Sequence, residues 1–350
     1  MNRGRYSSRR QQRGVALIIA LILVALATIL ATKLTFDGFL ERRRAIGVMA
    51  AEQAFQFGLG AEALAADALA QDQQMSASQT TLAAPWAQPT QPLPITPQDD
   101  PEGEPIGTLQ GQVEDMQGRF NLNNLGRVIP VSAPAGNGGA IDPVNPGNGT
   151  QGPVQDPQPL EQFQRLLVAV GLEPKWAAIA RDWIDADDIP GSPDGAEDSI
   201  YTGQTPPYRT GNWPMMSPTE LMNLPGFGAD RYRKIAPFVT ALPSAIVPIN
   251  ICTAPSEVLE SLAPTLNGEY SPQVLAAGRK TGCFPELNAF NNVVGRQQAQ
   301  ALVHRYGTTS NYFRLTTRIT LGTTEFTLYS LLLRGNGGKV TPLLRSFGTL

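Results

Sequence analysis

Six carboxylates crowd into fourteen residues of this 350-residue chain: Asp185, Asp187, Asp188, Asp194, Glu197 and Asp198. They sit in Ile184-Asp185-Ala186-Asp187-Asp188-Ile189-Pro190-Gly191-Ser192-Pro193-Asp194-Gly195-Ala196-Glu197-Asp198, whose glycines and prolines mark a loop. Like charges at this density repel unless water screens them or they share a cation. Hard oxygens on a flexible loop suit calcium, which takes roughly six to eight oxygen ligands. An EF-hand does not explain the spacing. Counted from Asp185, Asp187 fits the third position, but Ile189 stands at the fifth and Ala196 at the twelfth. Residue types alone leave two readings open, a calcium loop and a solvated acidic loop.

Other chemistry is sparse. His304 stands alone near the end of a predicted helix, and no Gly-x-Ser-x-Gly elbow is present. Gly335-Asn336-Gly337-Gly338-Lys339 has the wrong spacing for a phosphate loop, with Val340 where Ser or Thr is needed, and reads as a hairpin turn. One histidine and two cysteines cannot close a structural zinc site. These patterns speak against an enzyme. If the chain is exported, Cys252 and Cys283 meet an oxidising compartment and are expected to pair. That bond would close a loop worth roughly 3–4 kcal/mol by chain entropy.

Ser217-Pro218-Thr219-Glu220 carries a capping pattern, and Leu224-Pro225-Gly226-Phe227-Gly228 follows as a turn. Helix, turn and helix, with Arg231, Arg233 and Lys234 beyond, resemble the helix-hairpin-helix that grips DNA phosphates. An exported DNA-binding protein is therefore the alternative function. Against it, the net charge is −3 and the neighbouring loop is acidic, so no nucleic acid is expected as a partner.

The elements that must position these residues begin with Arg3, Arg5, Arg9, Arg10 and Arg13, followed at once by an apolar run over 15–31. That run is about 25 Å long as a helix, near the lower limit for a bilayer span, and the arginines keep the N-terminus cytoplasmic. It reads as a cleaved signal cut near Ala25-Leu26-Ala27, as an uncleaved anchor, or as a helix whose leader is cut between Gly14 and Val15. From 34 to 71 no proline intervenes, and Phe39, Ile46, Met49, Phe55, Leu59 and Leu64 recur at helical spacing. One helix over 15–71 would be roughly 85 Å long.

Residues 80–105 read as a linker or long loop, and 108–115 with 119–122 as a hairpin turning at Gln117-Gly118. Residues 133–159 form a Gly/Pro/Asn loop. Helices are expected over 160–170, 174–185, 218–224 and 229–241. From 246 strand character returns, interrupted by short helices over 255–262 and 296–304. A hairpin over 312–333 turns at Gly322-Thr323-Thr324, and 340–347 adds a strand.

A basic leader ending in Gly14 at the start of the apolar run resembles a type IV prepilin leader. Asp115-Met116-Gln117-Gly118-Arg119-Phe120-Asn121-Leu122-Asn123 looks like the strand-turn-strand signature of the K-type minor pseudopilins of type II secretion. Ile19 stands at the fifth position after Gly14, where pilins usually carry glutamate, and the K type lacks that glutamate. The resemblance covers nearly the whole chain and implies an α+β, pilin-like fold. It divides into a leader over 1–14, a transmembrane and spine helix over 15–71, a sheet domain over 72–125 and 245–350, and an inserted all-helical domain over 126–244.

The same resemblance implies structural calcium on the acidic loop. Its candidate ligands are Asp185, Asp187, Asp194, Glu197 and Asp198, with Asp188 and Asp182 behind them. It also implies cleavage at Gly14–Val15 by prepilin peptidase, methylation of Val15, and a single-pass inner-membrane anchor with a periplasmic body. Other minor pseudopilins in a tip complex are the implied partners, with secreted substrates and the outer-membrane channel as further contacts.

Overall fold

The computed structural model describes residues 13–97, 100, 102–129 and 154–348. Arg3, Arg5, Arg9 and Arg10 of the expected leader, and most of the expected loop over 133–159, lie outside them. The chain divides into two units, Met1–Phe57 and Gly58–Leu350. Helix α1 (Arg13–Met75) begins in the first and ends in the second.

In the first unit α1 carries exposed aliphatic side chains from Val15 onward, over a window of mean hydropathy 2.9. Three of its threonine hydroxyls fold back onto the helix. The hydroxyls of Thr28, Thr32 and Thr35 donate to the carbonyls of Val24, Thr28 and Ala31 at 2.7, 2.8 and 2.8 Å. A helix with its backbone paired and its hydroxyls folded back fits a lipid environment.

In the second unit the end of α1 lies on a five-stranded antiparallel sheet. Its strands, in both chain and spatial order, are β1 (Leu93–Ile95), β2 (Gly107–Asp115), β3 (Tyr312–Leu321), β4 (Thr324–Arg334) and β5 (Val340–Phe347). Burial alternates along β3 and β4, as a sheet with one covered face requires. Gly58 meets this face closely: a Cβ there would lie 2.6 Å from Leu328 Cδ2. Ala65 and Leu69 of α1 pack with Trp86, Phe313, Leu315 and Leu332.

Two expectations fail here for physical reasons. Residues 80–105 are more than a linker. Trp86 is buried edge-on against Phe313, with ring centroids 5.3 Å apart, and β1 adds an edge strand. The hairpin over 108–122 does not form, because β2 pairs with β3, Asp115 lying opposite Phe313. The Asp115 carboxylate accepts from Gln117 N at 2.8 Å and turns the chain into a 3₁₀ helix, Met116–Gly118. Phe120–Asn121 then pairs in parallel with Val239–Thr240.

The β2–β3 connection carries a helical body: α2 (Pro157–Ala169), α3 (Trp176–Asp182), α4 (Asp198–Tyr201), α5 (Gly228–Ile235), α6 (Ser256–Leu262), α7 (Pro272–Gly278), α8 (Leu287–Val294) and α9 (Arg296–Ala301). One apolar cluster runs through it, from Phe120, Leu122 and Phe163 through Trp183 and Phe227 to Leu259, Leu266 and Phe290. The helices after 244 share this core. Each such side chain taken fully from water is worth roughly 1.5–3 kcal/mol.

Buried polar groups join the layers. Arg334 Nη1 donates to Leu69 O at 3.1 Å and Asp72 Oδ2 at 2.9 Å, and Nη2 to Thr80 Oγ1 at 2.6 Å and Ser310 O at 2.8 Å. Its guanidinium lies 4.9 Å from the Phe313 ring centroid. Asp115 Oδ2 accepts from Asn250, Thr253 and Ser310 at 2.9, 2.6 and 2.6 Å, stitching the sheet to the helical body. Glu62 accepts from Ser330 and Arg345. Burial pushes its carboxyl up, but those bonds and the charge of Arg345 outweigh it and hold it below the usual range. That stability is therefore present above the unfolded carboxyl pKa and is lost as pH falls through the depressed one.

Replacing Arg334 by Ala should strand Asp72 and cost about 3–5 kcal/mol, as breaking a buried pair does. Urea denaturation of the full chain in detergent measures it, and a loss under about 1 kcal/mol would contradict this role.

Candidate cation-binding loop

The acidic loop hangs between α3 and α4 and is pinned by apolar anchors. Trp183, Ile184, Ala196 and Tyr201 are buried, and the rings of Trp183 and Tyr201 lie 5.3 Å apart. Asp182, the last residue of α3, closes the loop. Its Oδ2 accepts from Gly191 N and Ala196 N, both at 2.9 Å. Gly195 must lack a side chain, since a Cβ there would fall 2.2 Å from Asp182 Oδ2 and 2.1 Å from Gly191 N.

This frame brings Asp185, Asp187 and Glu197 together, one oxygen of each within 4.8 Å of the others. Glu197 is only 3% exposed, and neither of its oxygens has a hydrogen-bond partner. Asp185 Oδ2 accepts from Gln155 Nε2 at 2.7 Å, and Asp185 Oδ1 is buried without a hydrogen-bond partner. Asp182 Oδ1 likewise lacks a hydrogen bond, with Arg181 Nε 3.8 Å away. Burial, then the charges of Asp182, Asp185, Asp187 and Asp188, push the Glu197 carboxyl up to about 7. Asp185 and Asp182 are also raised, chiefly by burial.

The remaining sequence candidates face elsewhere. Asp194 is exposed and outside this group. Asp198 heads α4, where its Oδ1 accepts from Thr210 N at 3.0 Å and Thr210 Oγ1 at 2.9 Å, while Arg209 approaches Oδ2 at 3.5 Å. Those Thr210 bonds hold its carboxyl below the usual range. Sequence reasoning ranked Asp182 low and missed Gln155. The signal for Asp182 was its place at the end of a helix ahead of two loop glycines. An all-oxygen set with buried, unbonded carboxylate oxygens fits a hard divalent cation such as calcium.

The other sequence features are also placed. Cys252 and Cys283 form a disulfide. Arg279 braces it, donating to Ile251 O, Ala254 O and Phe284 O at 2.8, 2.7 and 2.8 Å. Gly14 and Val15 lie in the first turns of α1. The 217–235 hairpin forms as a 3₁₀ helix, Pro218–Asn223, with its capping box, followed by α5. Arg231 there donates to Gly226 O and Phe227 O and stacks 5.3 Å from Trp176, and Arg233 pairs with Asp230. The hairpin grips its own turn.

The family model described as type II secretion system (T2SS), protein K, matches residues 118–244. The type II secretion system protein K of Pseudomonas aeruginosa is 31% identical over 349 residues, covering 97% of this chain and 94% of that protein. The chain belongs to the type II secretion system protein K family. A second K protein, from Aeromonas hydrophila, is 31% identical and covers 97% of this chain and 98% of its own length. The fold is shared with the crystal structure of the GspK-GspI-GspJ complex from enterotoxigenic Escherichia coli. That match has a TM-score of 0.70 at 24% identity, over 88% of this chain and 100% of that one.

For this K-family chain in EDTA at pH 8, replacing Glu197 by Gln should raise the urea midpoint, because it removes a buried charge that repels its neighbours. The gain should be about 1 kcal/mol or more, and a lowered midpoint would contradict the crowding of Glu197.

Proposed function

We propose that this chain is a minor pseudopilin of type II secretion, held in the inner membrane by α1 with its body in the periplasm. Family similarity along nearly the whole chain carries this reading. The one helix long and apolar enough to cross a membrane, among the described residues, supports the topology. A related K protein was crystallised with GspI and GspJ. By that analogy this subunit assembles with two other components of the apparatus.

Ile19 favours a place at the filament tip. A subunit without the glutamate usual there has no carboxylate to neutralise the buried amine of a subunit ahead of it, so the top position suits it. The helical body carried between β2 and β3 adds bulk against a further subunit above. The role is scaffolding: priming the pseudopilus and meeting cargo or the outer-membrane channel, with no catalytic step of its own. Asp185, Asp187 and Glu197 hold a structural calcium ion, which turns a self-repelling loop into a crosslink and stabilises the folded state by mass action.

Processing tests the class. Mass analysis of the membrane-extracted protein should find an N-terminus at methylated Val15 when prepilin peptidase is present and at Met1 when it is absent. Met1 in both samples would leave a plain signal-anchored protein.

A further inference from the structure

The segment 209–216 is hydrogen-bonded to the acidic loop near its start and to Asn123 and Glu220 at its end. Thr210 is bonded to Asp198 through both its amide and its hydroxyl. Met215 N donates to Asn123 Oδ1 at 2.7 Å, and Met216 N to Glu220 Oε1 at 2.7 Å. Gly211 lies against the Trp183 indole, where a Cβ would sit 3.2 Å from Cε2.

Between these ties stands Asn212, with a left-handed φ of 43°. Its Nδ2 donates to Asp188 Oδ1 at 3.3 Å. Its Oδ1 is buried and has no hydrogen-bond partner. Four other side-chain oxygens share that condition in the adjoining loop: Asp182 Oδ1, Asp185 Oδ1 and both oxygens of Glu197. An unbonded buried amide oxygen is costly unless something electropositive meets it.

We propose that Asn212 Oδ1 is a further ligand of the cation held by Asp185, Asp187 and Glu197, so that occupancy ties segment 209–216 to the acidic loop. The inference rests on the cation reading above. Bound through one oxygen each, these three carboxylates leave calcium short of its roughly six to eight oxygen ligands, and a neutral amide oxygen adds a ligand without adding repulsion. The bond from Nδ2 to Asp188 orients the amide by occupying its donor end. Trp213 and Met216, 70% and 69% exposed, ride on the tethered segment. Cation occupancy then sets how firmly both are presented to solvent.

The test is calorimetric titration of calcium chloride into the full chain in detergent, alongside hydrogen exchange of the 209–216 peptide. Asn212→Gly removes the oxygen while accepting the left-handed backbone. It should weaken calcium binding by about tenfold and abolish calcium-dependent protection of 209–216. Protection of 185–198 at saturating calcium should persist. Asn212→Asp keeps an oxygen and should bind at least as tightly as the parent. Less than a threefold loss in Asn212→Gly, or equal loss in both variants, overturns the assignment. A parent that binds no calcium overturns the cation reading itself, and this inference with it.

Discussion

A carboxylate shut away from water beside two others needs a counter-charge, and Glu197 has none among its protein neighbours. Its oxygens lie unbonded within reach of Asp185 and Asp187. Arg181 approaches Asp182 at 3.8 Å and Arg209 approaches Asp198 at 3.5 Å. The loop nevertheless cannot relax outward, because Trp183, Ile184, Ala196 and Tyr201 on either side are part of the apolar core. Packing thus holds together what electrostatics would separate, and a shared divalent ion is the economical resolution. The helical body pays for its core by enclosing charge.

At the seam between sheet and helical body, by contrast, buried charged and amide groups each meet several partners. Arg334 spends its two terminal nitrogens on four acceptors from α1, the following loop and the chain before β3. Asp115 is satisfied from Gln117, Asn250, Thr253 and Ser310. The Asn121-Leu122-Asn123-Asn124 stretch works in the same way. Asn123 bonds Met215 and Leu242, Asn121 bonds Leu242 and Ser244, and Asn124 bonds Val247. Such amides fix loops distant in sequence to one turn, which explains why a short polar segment carries a family resemblance.

Local periodicity made α1 and the β3–β4 hairpin readable, because a long proline-free helix and an alternating strand pair are each specified by neighbours in sequence. The partner of β2 was not readable, since Asp115 meets Phe313 across the whole helical body. Helices α7 and α8 escaped because each is short and buries little of its own surface, chiefly Leu275 in one and Phe290 and Val294 in the other. In the acidic loop, composition located the site but could not say which way each carboxylate faces. Asp198 was lost to the end of α4 and Thr210, whereas Glu197, one residue earlier, was driven inward. That choice is made by tertiary packing around Tyr201 and Ala196.

The most direct measurement is anomalous X-ray scattering from crystals of the protein grown in calcium chloride. A calcium peak bounded by oxygens of Asp185, Asp187 and Glu197 is the expected result. Ordered density showing those three carboxylates turned apart into solvent, with no peak between them, would contradict the cation-closed loop.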